Sequence, residues 1–332
     1  MTLKIGLLGC GRIGQVHARS IKALEGARVV AVADALPEAA RALAQSCAAE
    51  VRDVDAILAA TDIDAVVIGT PTDSHFDQIM AAAKAGKAIF CEKPVDMSVA
   101  NIRACRDVVM RAGVPFLTGF NRRFDPNFAS MRARIRDGAI GAVELVTITS
   151  RDPAPPPVSY IERSGGLFRD MMIHDFDMAR FLVGEDFVRL HAVGSALVDP
   201  AIGAAGDVDT AAVILTTASG KICQISNSRR AAYGYDQRIE VHGAQGMLRA
   251  ENQLESTVEL ATDQGFRRDP AQHFFLERYE AAYLAEMRAF LQAVTTGSAA
   301  DPGIEDGLQA QILADAASLS RETGQPVDLA KG

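Results

Sequence analysis

Asp170 and His174 stand four positions apart in the run Gly165-Gly166-Leu167-Phe168-Arg169-Asp170-Met171-Met172-Ile173-His174-Asp175-Phe176-Asp177. The spacing predicts the opening turns of a helix over Asp170–Val183, which would place both side chains on one face. A carboxylate beside an imidazole orients a general base and fixes its tautomer. Lys93 is the third candidate. It sits in Glu92-Lys93-Pro94, directly after the apolar run Ala88-Ile89-Phe90-Cys91. The proline favours an extended backbone at Lys93. A cationic lysine can donate to a reacting oxygen and stabilise developing alkoxide charge. Base, orienter and cation together suit proton removal from an alcohol. Each residue also has a plainer role: a carboxylate at a helix N-terminus, a core histidine, a surface lysine. Met171, Met172 and Ile173 read as core contacts, and Asp175 and Asp177 receive no role.

Alcohol oxidation also needs a hydride acceptor. Gly9-Cys10-Gly11-Arg12-Ile13-Gly14 has the G-x-G-x-x-G pattern, between a strand-like run and a helix-like run. In such a turn Gly9 makes the tight bend, Gly11 lets a pyrophosphate approach, and Gly14 allows close helix–strand packing. Arg12 and Ile13 then open the helix whose N-terminus receives the anion. Asp34 follows the second strand, placed to accept hydrogen bonds from adenosine ribose hydroxyls. Ala35 and Leu36 offer no cation to a 2′-phosphate, so NAD is preferred over NADP. Thr70-Pro71 and Glu92-Lys93 fall at strand carboxyl ends, where open parallel sheets bind ligands. His75 starts the next helix and is read either as a cofactor contact or as a helix-end histidine facing solvent.

These residues need elements to carry them. Residues 1–120 alternate strand-like runs (Ile5–Leu8, Val29–Ala33, Ala65–Ile68, Ala88–Cys91, Phe116–Thr118) with helical stretches. That alternation predicts an α/β Rossmann domain, a doubly wound parallel sheet. Residues 121–332 show runs of strands without crossover helices, then two closing helices, Leu276–Thr296 and Gly303–Glu322. They predict an α+β domain with a large, mostly antiparallel open sheet flanked by helices. The chain has 332 residues and a formal net charge of -8 with no basic stripe, which argues against a nucleic-acid partner. Its five cysteines have neither metal-site nor disulfide spacing, so no metal is expected. No apolar run approaches membrane-spanning length and no signal-peptide layout opens the chain, so a cytoplasmic location is expected.

The glycine turn, Glu92-Lys93-Pro94 and the Gly165–Asp177 segment together resemble the glucose–fructose oxidoreductase/inositol dehydrogenase (Gfo/Idh/MocA) family, over nearly the whole chain. Gly119-Phe120-Asn121-Arg122-Arg123-Phe124-Asp125-Pro126, Arg151-Asp152-Pro153 and Tyr233-Gly234-Tyr235-Asp236 look most like its myo-inositol-oxidising branch. The resemblance implies a catalytic set of Lys93, Asp170 and His174. It also implies a polyol pocket completed by Asn121, Arg122, Asp152 and Tyr235, and a homotetramer formed through the open face of the second sheet. Ser150 and Asp152 stand where some relatives carry histidine and asparagine. The expected reaction is NAD-dependent oxidation of myo-inositol to 2-keto-myo-inositol. Alternatives are the same chemistry on scyllo-inositol or an aldose, and a non-catalytic NAD(H)-binding sensor.

Overall fold

The computed structural model describes residues 2–329. The chain forms two compact units: one holds residues up to 124 together with 281–311, the other 125–280 with the chain from 312 onward. The boundary expected at 120 lies near the first crossing, but the expectation gave everything beyond it to the second domain. The return of 281–311 follows from packing: Met287, Phe290 and Leu291 share one buried core with Ile5, Leu7, Phe90 and Leu117.

In the first unit, β1 (Leu3–Leu8), β2 (Ala27–Ala33), β3 (Glu50–Val51), β4 (Ala65–Ile68), β5 (Ala88–Glu92) and β6 (Phe116–Gly119) form a sheet in the order β3-β2-β1-β4-β5-β6. Every pairing is parallel. Every residue of β4 and β5 is buried, as a sheet covered on both faces requires. Strand order reverses between β1 and β4, so their carboxyl ends open a crevice suited to a dinucleotide. The two-residue strand β3 and the helix Val54–Ala59 were not expected; both are too short to show a period.

In the second unit, β7 (Val143–Arg151), β8 (Phe187–Ser195), β9 (Thr210–Thr217), β10 (Ile222–Ser228), β11 (Asp236–Gly243) and β12 (Gly246–Ala250) belong to one sheet. A short exposed hairpin, β13 (Glu259–Thr262) with β14 (Gly265–Arg268), precedes the edge strand β15 (Val327–Asp328). The sheet order is β12-β11-β7-β10-β9-β8-β15. Its pairs are antiparallel except β7–β10, which is parallel. One face alternates into the core, and the other leaves Leu145, Val193, Ile214, Ile222 and Met247 exposed.

The continuous helix expected over Asp170–Val183 is corrected. A five-residue helix, Gly166–Asp170, ends at Asp170, and a second, Ile173–Val183, starts after a turn at Met171-Met172. The amides of Met171 and Met172 both donate to Leu167 O, at 3.0 and 2.9 Å, so the regular bonding ladder stops there. The helix expected over Leu276–Thr296 is also broken: Phe275–Arg278 and Glu280–Thr296 flank Tyr279, whose hydroxyl donates to Gln237 Oε1 at 3.1 Å. No helix among the described residues is long and apolar enough to cross a membrane.

Candidate active site

The glycine turn is built as its spacing requires. Gly9 has φ +92°, and a Cβ there would lie 2.4 Å from Gly69 O. A Cβ on Gly14 would lie 1.9 Å from Gly9 O. At Gly11 a Cβ would meet nothing within 4 Å, so the space in front of the helix is open. Gly11 caps the helix Arg12–Lys22 without a side-chain hydrogen bond, and the first intrahelical bond is Gln15 N to Gly11 O. The amides of Arg12, Ile13 and Gly14 precede that bond, which leaves a dipole-backed anion site. Burial and, after it, nearby Asp34 push the Cys10 thiol up to about 12, so it stays neutral beside a bound anion. These features fit a dinucleotide pyrophosphate.

Asp34 stands just past β2. Its Oδ2 accepts the Cys10 amide at 2.6 Å and its Oδ1 accepts the Leu36 amide at 2.8 Å, which latches the carboxylate to the glycine turn. Arg41 is paired with Glu38 on the surface of the next helix.

At the ends of β4 and β5, Thr70 Oγ1 donates to Gln78 Oε1 at 2.8 Å, and Pro71 is exposed. His75 is 1% exposed, which corrects the solvent-facing alternative. Its Nδ1 lies 3.0 Å from Pro94 O and its Nε2 2.9 Å from Thr70 O, so the ring ties the two loops together. Burial holds its pKa below the usual histidine value, outweighing the two carbonyls, which act the other way. Glu92 ends β5. Its Oε1 meets His17 Nε2 at 2.7 Å, and its Oε2 accepts the Lys93 amide at 3.2 Å. His17 is fully buried and was missed by sequence reasoning. The available signal was its place on the inward face of the first helix, with Gly14, Ala18 and Ile21. Lys93 is half-buried. Asn121 and Arg122 are buried in the turn Asn121–Phe124, and Arg123 beside them pairs with Asp301 and Asp306, each at 2.8 Å.

In the second unit the strand register gathers the remaining residues. Arg151 of β7 lies opposite Ser228 of β10 and Asp236 of β11. Asp152, Arg229 and Tyr235 therefore leave three neighbouring strands at the same end of the sheet. The Asp152 amide donates to Ser228 O at 3.0 Å. Tyr235 is buried, edge-on to Tyr279, and next to a buried Asp236 that accepts from Tyr233, Arg238 and Asn252.

Asp170 and His174 lie on opposite sides of the Met171-Met172 turn, at the end of one short helix and the second residue of the next. Asp170 Oδ1 accepts from Tyr160 Oη at 3.0 Å, and Oδ2 from Arg229 Nη2 at 3.4 Å. Asp175, given no role from sequence, is buried and accepts from Asn227 Nδ2 at 2.9 Å. Sequence reasoning missed Tyr160, Asn227 and Arg229. For the last two the signal was register, since Cys223, Ile225, Asn227 and Arg229 all face inward.

Residues 3–120 match the oxidoreductase family with an NAD-binding Rossmann fold, and residues 128–249 match the GFO/IDH/MocA C-terminal domain. An inositol 2-dehydrogenase of Rhizobium meliloti is 56% identical, covering 99% of this chain and all of that protein. Among solved structures, a myo-inositol dehydrogenase from Corynebacterium glutamicum superposes with a TM-score of 0.96 at 43% identity, covering 100% of both chains. A scyllo-inositol dehydrogenase from Lactobacillus casei, with bound NAD(H) and scyllo-inositol, superposes with a TM-score of 0.93 at 31% identity, covering 99% of each chain. With its glycine cradle, its Glu92-Lys93-Pro94 turn and this whole-length likeness, the chain belongs to the GFO/IDH/MocA family of NAD-binding oxidoreductases.

Proposed function

We propose that this protein oxidises myo-inositol to 2-keto-myo-inositol with NAD, as a cytoplasmic inositol 2-dehydrogenase. The whole-length 56% identity to an inositol 2-dehydrogenase carries the reading. The polar side chains at the shared end of β7, β10 and β11 support it, because a polyol needs several directed hydrogen bonds.

In this reading the cofactor, when bound, supplies a nicotinamide carbon that accepts hydride. The chain does the rest. The amides of Arg12, Ile13 and Gly14 hold the pyrophosphate, and Asp34 takes the adenosine ribose hydroxyls. Thr70, Pro71 and Glu92 shape the nicotinamide end, with His75 holding the Thr70 and Pro94 loops. His174 removes the hydroxyl proton as the carbon loses hydride, so a secondary alcohol becomes a ketone. Asp170 orients His174 and stabilises the imidazolium that forms. Lys93 donates to the substrate oxygen and stabilises its developing charge. Asn121, Arg122, Asp152 and Tyr235 bind the remaining hydroxyls.

The test is purified protein with NAD and a panel of inositols and aldoses, read as reduced-cofactor absorbance. Myo-inositol should give the highest kcat/KM. Faster turnover of scyllo-inositol, the isomer bound in the Lactobacillus casei structure, would reassign the substrate. Silence across the panel would defeat the reading. The exposed apolar face, where Leu145 pairs with Ile222, supports a homotetramer, checked by light scattering.

A further inference from the structure

We infer that Arg229 is a positioning residue for this reaction: it locks the Asp170 carboxylate in the orientation that aligns His174. The inference rests on the roles proposed above for Asp170 and His174.

The break after Asp170 creates the need. Asp170 closes one short helix and His174 belongs to the next, so a continuous helical backbone does not fix their relation. The last torsion of an aspartate is soft. Here each oxygen has its own donor, Tyr160 Oη on Oδ1 at 3.0 Å and Arg229 Nη2 on Oδ2 at 3.4 Å. Two donors on two oxygens set the carboxylate plane.

Arg229 is the rigid partner of the two. Its side chain is 1% exposed, whereas Tyr160 is 46% exposed. A guanidinium cannot lose its charge by deprotonation, so burial commits it to an anionic partner. It directly follows β10, a strand paired on both sides. Its amide donates to Asp209 O at 2.8 Å, and the Asp209 carboxylate in turn accepts the amides of Leu197, Val198 and Asp199. The tether therefore runs from a sheet interior to the carboxylate. Arg230, the next residue, is exposed and serves as an internal control.

The test compares Arg229→Met, Arg229→Lys, Tyr160→Phe and Arg230→Met with wild type. Readouts are steady-state kinetics with NAD and myo-inositol, NAD binding by fluorescence, and the isotope effect for substrate deuterated at the oxidised carbon. Arg229→Met should lower kcat by about 10- to 100-fold with NAD affinity held within about twofold. The isotope effect should rise, because misplaced chemistry becomes slower while a merely smaller folded fraction leaves it unchanged. Arg229→Lys should recover most of the loss, Tyr160→Phe should lose several-fold, and Arg230→Met should match wild type. Full kcat/KM in Arg229→Met, or a loss that only tracks unfolding, overturns the inference. If Arg229→Met does not fold, Arg229→Gln takes its place, and wild-type kcat with an unchanged isotope effect in that variant overturns the inference. A wild type inactive on every polyol defeats the functional reading itself; an active wild type beside an active Arg229→Met defeats only this step.

Discussion

The turn Gly9–Gly14 and the segment Gly165–Asp177 both carry chemistry, yet they are specified differently. The glycine turn explains itself. Gly9 needs a positive φ, Gly14 needs the absence of a Cβ, and Gly11 leaves room, all within six residues. The Asp170 segment is held from far along the chain: Arg229 binds Asp170, Asn227 binds Asp175, and Asp207 binds the Leu167 amide at 3.1 Å. Backbone-determined sites have short sequence signatures. Sites determined by side chains from distant strands do not.

That contrast can be broken at several points. The largest expected effects lie in the chemistry. His174→Ala and Lys93→Met should each lower kcat by roughly 10²- to 10⁴-fold while leaving NAD affinity nearly intact. Wild-type turnover in either variant would remove that residue from the mechanism. Next is Gly14→Ala, whose Cβ would press 1.9 Å from Gly9 O, so the turn must open. It should abolish measurable NAD binding and lower the melting temperature. Gly11→Ala, with nothing within 4 Å of the new carbon, should keep the wild-type melting temperature and weaken only NAD. Equal unfolding in the two variants would mean that the turn is not locally determined. Asp34→Ala should weaken NAD by about tenfold, the loss of one or two hydrogen bonds to a charged group, with saturated turnover largely kept. If NADP then binds as well as NAD, Asp34 is the discriminator.

The smallest effect concerns the second unit's own scaffold. Burial opposes ionisation of Asp236, but hydrogen bonds from Arg238, Tyr233 and Asn252 outweigh it and hold the carboxyl below its usual value. A depressed folded-state pKa contributes stability that is fully present above the unfolded value of about 3.9. That contribution is lost as pH falls through the lower, folded value. Asp236→Asn should therefore reduce stability at neutral pH and flatten the acid limb of the unfolding curve. An unchanged acid limb would show that Asp236 does not provide this linkage.

The sequence made the first sheet legible because a fully buried parallel strand is an uninterrupted apolar run, as in Ala65–Ile68 and Ala88–Cys91. The open sheet was legible as alternation. Two helix breaks were not: Leu167 O taking two amides is a local backbone change and Tyr279 reaching Gln237 a tertiary contact, and neither interrupts the apolar pattern of the sequence. In the candidate site, motif residues were legible one by one. Their supports were not: His17 and Arg229 look ordinary until the helix face and strand register turn them inward. Of the two readings of His75, burial corrects only the solvent-facing one: its ring lies between two backbone carbonyls that no local pattern announces.

The return of residues 281–311 to the first unit bears on how the protein is made. A ribosome completes the glycine turn and all six parallel strands early. The core beneath them lacks Met287, Phe290 and Leu291 until nearly the whole chain has emerged. During that interval the nascent nucleotide-binding unit presents an uncovered apolar surface around Phe90 and Leu117. A gene fragment ending at residue 120 keeps every cofactor motif residue and discards the lid of its own core, so it should express as an aggregation-prone product.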